Sequence, residues 1–186
     1  MFDLERFIEE CKAVPVDGDQ QKTIREMAER AVSEPGEVLK GLGEPTKAGV
    51  NTLYQSETLT ILNLVWGPYM TLKPHNHQMW AVIGLYTGRE DNIFWRKLEG
   101  EDANRVEAAG AKALAVKDCA PLGRDIIHSV TNPTPRLTGA LHIYGGDFFN
   151  EPRSEWNPET LIEERYNVER NIALFEQSNK MLDFLG

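Results

Sequence analysis

The sequence predicts a mainly β protein, a sandwich or jelly roll closed by helices at both ends. Three observations lead there. Between Gly49 and Tyr144, short β-branched and aromatic runs alternate with Gly, Pro, Asn and Asp. On either side of that region apolar residues recur at helical spacing instead. The 186 residues, 41% hydrophobic and 26% charged, suffice for one domain with its own core. The chain therefore reads as a single domain over 1–186, helical over 1–45, a β barrel over about 49–148 and helical again over 158–185.

The elements follow in order. Phe2, Leu4, Phe7, Ile8 and Cys11 lie on one helical face, and Val14 to Gly18 breaks the pattern. Asp19 is the expected cap of a second helix reaching Ser33, with Ile24, Met27, Ala28, Ala31 and Val32 as its stripe. Pro35 suits the first turn of a third helix ending at Gly41 or Gly43. Strands are expected over 50–55, 59–66, 79–86, 92–98, 111–116, 126–131 and 138–144, with another around His75 and His77. Asn157-Pro158-Glu159 is expected to open the C-terminal helical region, and Val168 to Leu185 is strongly helical. In the strand 138–144, alternation puts His142 and Tyr144 on one face and Leu141 and Ile143 on the other. That pattern predicts a polar site inside the barrel and apolar cover outside.

Composition narrows the function. The formal net charge is −9 and no block of basic residues offsets it, which argues against nucleic acid or a membrane surface as partner. No apolar run approaches the ~18 residues of a transmembrane helix. The N-terminal MFDLERFIEECKAV is acidic and amphipathic, unlike a secretory signal. With only two cysteines, Cys11 and Cys119, a cytoplasmic setting is expected. A homo-oligomer is possible.

All four histidines, His75, His77, His128 and His142, fall in the β region. His75 and His77, two apart on a strand, point to the same side, and Asn76 points away. Neutral imidazole is the commonest metal ligand, so this pair supplies half a coordination sphere. Gly67, His75, His77 and Gly88 fit the first cupin motif, Gly-x5-His-x-His-x3,4-Glu-x6-Gly, with a slightly longer first spacing. Pro121, Gly123, His128 and Asn132 fit the second, Pro-x-Gly-x2-His-x3-Asn, with two extra residues before the His. The sequence resembles the cupin superfamily here, which implies a double-stranded β-helix. The glutamate of the first motif is missing, with Ala81 or Val82 in its place. The implied metal set is then His75, His77 and His128.

Three histidines without a carboxylate resemble the cupin thiol dioxygenases that act on cysteine or 3-mercaptopropionate. Trp66-Gly67 nine residues before His75, His142-Ile143-Tyr144-Gly145 on the last strand, and Arg153 nine residues after Tyr144 extend the likeness over roughly 58–156. The chain departs from that family in three ways. Ala140 replaces the serine of Ser-x-His-x-Tyr. Val82 stands near the place of the cysteine that cross-links to the tyrosine in animal enzymes. No arginine lies between Ala31 and Gly88, where those enzymes bind the substrate carboxylate.

The resemblance implies Fe(II) as cofactor, a small mercapto-carboxylic acid and O2 as substrates, and a sulfinate as product. Arg153 would hold the carboxylate, with Tyr144 and His142 as catalytic residues. Two other readings fit a three-histidine cupin: an oxygenase cleaving a carbon–carbon bond, and a non-catalytic protein binding metal and a small molecule. Trp66, Trp80, Trp95 and Trp156 read as packing residues, Trp80 being the exception worth checking because it follows His77 by three.

Overall fold

The structure is a computed structural model and describes residues 2–185. Three helices come first: α1 (Leu4–Lys12), α2 (Gln20–Ser33) and α3 (Pro35–Leu42). Then follow β1 (Gly49–Gln55), β2 (Thr60–Trp66), β3 (Thr71–Asn76), β4 (Ala81–Thr87), β5 (Arg89–Lys97), β6 (Val106–Ala115), β7 (Cys119–Leu122), β8 (Ile127–Thr131) and β9 (Thr138–Tyr144). A short hairpin, β10 (Ser154–Trp156) and β11 (Glu163–Arg165), precedes the closing helix α4 (Val168–Leu185).

Two antiparallel sheets face each other, in the orders β1-β2-β9-β4-β7 and β11-β10-β3-β8-β5-β6. Without the added strands, the eight from β2 to β9 lie in the order of a jelly roll, β2-β9-β4-β7 facing β3-β8-β5-β6, and the chain changes sheet at every connection but the β5-β6 hairpin. This is the double-stranded β-helix the sequence predicts.

Both faces of the first sheet are covered, and alternation along its strands shows how. Ile61, Val82, Leu141 and Ile143 point outward, where Phe7, Cys11, Ile24, Ala28, Val32 and Val38 of the helices meet them. Leu62, Leu64, Ala81, Ile83 and Tyr144 point inward against the second sheet. A sheet dry on both faces needs near-continuous apolar strands, and β2, β4 and β9 are buried almost throughout. At the end of β4 the chain reverses through Gly88, whose φ of +77° is strained for any residue with a Cβ. Thr138 fills the space beside it, its Oγ1 lying 3.0 Å from the Arg89 nitrogen.

Two local expectations are corrected. Asp19 sits at the N-cap of α2, but its side chain makes no capping bond. The Asp17 carboxylate accepts the Asp19 N–H instead, at 2.9 Å. Asn157-Pro158-Glu159 does not open a helix, so 158–167 is not helical. Asn157 Oδ1 accepts the N–H groups of Glu159 and Thr160 at 2.9 and 3.1 Å, which turns the chain between β10 and β11. A helix-capping residue type has been committed to a turn. The cap of α4 is Asn167, whose Oδ1 accepts the Arg170 N–H at 2.8 Å.

A buried carboxylate fastens α4 to the barrel. Glu155 of β10 lies opposite His75 of β3 and is fully buried. Its Oε1 pairs with Lys73 Nζ at 2.9 Å and with Arg170, and its Oε2 accepts from Asn171 Nδ2 at 2.8 Å. Glu155→Ala should cost about 2–4 kcal/mol, because Lys73 and Asn171 lose a buried partner. Urea unfolding measures the loss, and early proteolytic cutting within α4 should accompany it.

Candidate metal centre

β3 runs through the middle of the second sheet, between β8 and β10. His75 at its end stands opposite His128 of β8 in the antiparallel register, and His77 follows just past the strand. All three rings are buried, and their ligand nitrogens lie within 4.8 Å of one another. Asn76 between them turns the other way, and its Oδ1 accepts the Ser154 N–H at 2.9 Å.

The proton positions follow from the outer partners. His75 Nδ1 is 2.9 Å from the Lys73 carbonyl and His128 Nδ1 is 2.7 Å from Asn92 Oδ1. A ring nitrogen facing a carbonyl oxygen must donate, so both rings carry hydrogen on Nδ1 and leave Nε2 bare. His128 Nε2 and His77 Nε2 are 3.4 Å apart. Two nitrogens each ~2.1 Å from one ion, at 90–110° to each other, stand ~3.0–3.4 Å apart. Burial pushes His75 down to about 4 and holds His77 and His128 well below the usual imidazole range; neighbouring histidines add to the effect. Three neutral imidazoles whose ligand nitrogens converge, two of them left bare by their outer hydrogen bonds, fit a divalent metal ion.

On the facing sheet, Tyr144 Oη lies 3.0 Å from His142 Nδ1. The Tyr144 ring packs at 5.0 Å from His77 and 4.3 Å from Phe148, centroid to centroid. Burial raises its pKa, so the phenol keeps its proton. Ala140 adds only a methyl group to the core. Val82 faces the helices, and Cys11 and Cys119 are free thiols in that same outer layer, so no cysteine lies beside Tyr144. Trp80 does not line the site. Its indole covers the Cα of Gly145, where a Cβ would lie 2.1 Å from the ring.

Glu90 and Asn92 were missed at the sequence level. Both are buried on β5, two residues apart, while Arg89, Asp91 and Ile93 between and beside them are more exposed. That alternation was the available signal, but Glu90 lies before the expected start of the strand at Asn92. Glu90 accepts from Trp66 Nε1 at 2.8 Å and Asn92 Nδ2 at 3.0 Å, and its Oε2 lies 3.4 Å from His142 Nε2. Burial pushes its carboxyl upward, but His142, Asn92 and Trp66 outweigh that and hold it below its ordinary value.

Arg153 completes the site. It lies in the turn before β10 at 6% exposure, with its Cζ 4.0 Å from the Phe148 ring centroid and 4.1 Å from that of Tyr166. Its Nε and Nη1 have no hydrogen-bond partner among the described residues. The guanidinium, the three ligand histidines, His142 and Tyr144 line one cavity of about 40 Å³, whose walls include Leu64, Trp66, Leu72 and Phe175. A water needs ~10–15 Å³ on this measure, so the space suits a small molecule. Trp66 thus both packs and lines the site.

No protein-family model matches the chain, and no curated protein matches it in sequence. Several solved structures are similar in shape. An RmlC-like cupin family protein from Methanocaldococcus jannaschii is 10% identical over 56% of this chain and 84% of its own, with a TM-score of 0.45. A protein with a double-stranded β-helix domain from Klebsiella pneumoniae is 10% identical over 63% and 87%, at 0.46. A cupin superfamily protein from Desulfitobacterium hafniense is 16% identical over 59% and 88%, at 0.44. All three are cupin or double-stranded β-helix proteins. Scores this low add no argument; the strand order carries the fold. No helix among the described residues is long and apolar enough to cross a membrane.

Two measurements test the centre. A His75→Ala, His77→Ala variant should lose bound metal by elemental analysis, and a full complement would refute the site. Acid should destabilise the metal-free protein. An unfolded histidine titrates near ~6.5 and these titrate lower when folded, so between those values the unfolded chain binds more protons. Stability should therefore fall as pH drops below ~6.5, by up to ~1.4 kcal/mol per pH unit for each histidine. Urea titrations from pH 7 to 4 read that slope, and bound metal should raise the stability across the window in which the folded imidazoles are unprotonated while leaving the slope there unchanged.

Proposed function

We propose that this protein is a non-haem Fe(II) dioxygenase that converts the thiol of a small mercapto-carboxylic acid to a sulfinate. The observation that supports this best is the pairing, in one small cavity, of three neutral imidazoles with a buried guanidinium that has no acidic partner among the described residues. His75, His77 and His128 would hold the iron. The bound iron supplies coordination positions where a thiolate and dioxygen can meet. Both atoms of O2 go to sulfur, so thiol and O2 balance to a sulfinic acid with no outside reductant.

The chain's own residues supply recognition and shape. A buried cation without a counter-ion is costly, and a carboxylate of the substrate removes that cost through two parallel N–H···O bonds. Phe148 and Tyr166 clamp the guanidinium from both faces, which fixes the plane of that fork. Tyr144 keeps a protonated hydroxyl against His142 Nδ1 while its ring packs on His77. The apolar walls exclude bulk water.

The lining also bears on which acid is taken. Among the described residues no Asp or Glu side chain lines the cavity, so a substrate ammonium would meet the Arg153 guanidinium, histidines, aromatics, aliphatics and Asn171. The cavity therefore favours a thiol acid without an amino group, of the 3-mercaptopropionate kind, over cysteine.

The test is oxygen uptake by the Fe(II)-loaded protein with 3-mercaptopropionate, cysteine, an alkyl thiol lacking the carboxylate, and a diketone. The mercapto acid should be consumed fastest, with its sulfinate as the product by mass. Arg153→Ala should lower kcat/KM for the acid by roughly 10- to 150-fold, the worth of a charge-assisted pair of about 1.5–3 kcal/mol. Arg153→Lys should be nearly as damaging, because an ammonium lacks the planar fork. Equal rates on acid and plain thiol would remove the role of Arg153. Uptake with the diketone alone would favour carbon–carbon cleavage.

A further inference from the structure

The Tyr144–His142 pair lacks the hydroxyl partner that a serine at position 140 would supply, and an imidazole bonded at one nitrogen alone has two tautomers to choose from. The neighbour that breaks this tie comes from the other sheet. Glu90 is 0% exposed, and its two hydrogen bonds come from neutral donors, Trp66 Nε1 and Asn92 Nδ2. His142 Nε2 lies 3.4 Å from Glu90 Oε2, is buried, and makes no hydrogen bond that would fix its hydrogen by geometry alone; the carboxylate is the polar group it faces. Facing a buried carboxylate, a bare Nε2 would set lone pair against lone pair, whereas an Nε2–H turns a positive edge toward the negative charge.

We propose that Glu90 is the positioning residue of this pair: its carboxylate holds the His142 hydrogen on Nε2, leaving Nδ1 to accept from the Tyr144 hydroxyl. The Tyr144 hydrogen then lies on the His142 side. Asn92 extends the same control to the metal centre. Its Nδ2 donates to Glu90 and its Oδ1 accepts from His128 Nδ1, so the amide has one orientation and His128 one tautomer. One carboxylate thereby sets hydrogen positions on both sides of the cavity. This inference does not depend on which substrate the site takes.

Substitution by glutamine gives a sharp contrast. Three donors converge on Glu90, but a carboxamide has a single oxygen and an NH2 group. With Trp66 and Asn92 competing for the oxygen, the NH2 is left to face His142, which favours the tautomer with hydrogen on Nδ1. The experiment is a long-range 1H–15N spectrum of the full chain loaded with Zn(II), with the His142 signals assigned from His142→Gln. Wild type is expected to show Nε2–H with an unprotonated Nδ1. Glu90→Gln should shift His142 wholly or partly to Nδ1–H, while Glu90→Asp, which keeps the charge, should retain the wild-type form. Zinc content should match wild type in both. An Nδ1–H signal in the wild-type protein overturns the proposal, and that spectrum decides even if Glu90→Gln fails to fold. A folded Glu90→Gln with wild-type His142 shifts overturns it too. Neither outcome touches the dioxygenase reading, which oxygen uptake tests separately.

Discussion

The register of β3 is the constraint on which the site depends. This strand sets His75 against His128 on one side and against Glu155 on the other. Side chains on a strand alternate, so a slip of one residue would turn His75 and His77 outward and Asn76 in. The ladder with β8 is irregular between Leu72 and His75, and the paired residues resume at His75. The irregularity falls just before the ligands, where the strand is re-aimed. On either side, apolar packing is continuous enough to exclude water from the imidazoles, which keeps them uncharged and open to a cation.

Charge is distributed against the average of the chain. The whole protein is acidic at −9, yet the cavity is lined by a guanidinium and imidazoles, with no carboxylate from the described residues among them. The acidic groups nearest the site, Glu90 and Glu155, stand behind it and are engaged by their own partners. A small acid would meet a locally positive pocket inside a negative body. Over more than a Debye length, ~8 Å at physiological salt, the outer charge is largely screened, so the local groups decide.

Much of this was legible in the sequence because the signals were periodic. The change from helical spacing to short strands at Gly49, the His-x-His pair and the alternation in 138–144 each reflect a face that must be buried or kept polar. The C-terminal helical region was expected to open at Asn157-Pro158-Glu159 because Asn157 and Asn167 look alike in sequence, and only the hairpin tells the turn at one from the cap at the other. Glu90 escaped for another reason. The alternation along β5 marks the face Glu90 lies on but not its role: two of the groups it meets, Trp66 and His142, lie 24 and 52 residues away and are brought to it by sheet packing. The exposure of Arg153 was equally invisible, since Pro152 and the acidic residues around it suit a surface turn as well as a buried one.

Asn76 carries a consequence beyond its hydrogen bond. It sits between two ligand histidines, and its Oδ1 grips the backbone of the residue next to Arg153. The strand that would hold the ion and the turn that presents the guanidinium are thus one mechanical unit. Thermodynamic reciprocity then applies: if ion binding steadies β3 and so improves the hold on an acid, the acid must strengthen retention of the ion by the same factor. Occupancy by substrate would itself protect the centre from losing its metal.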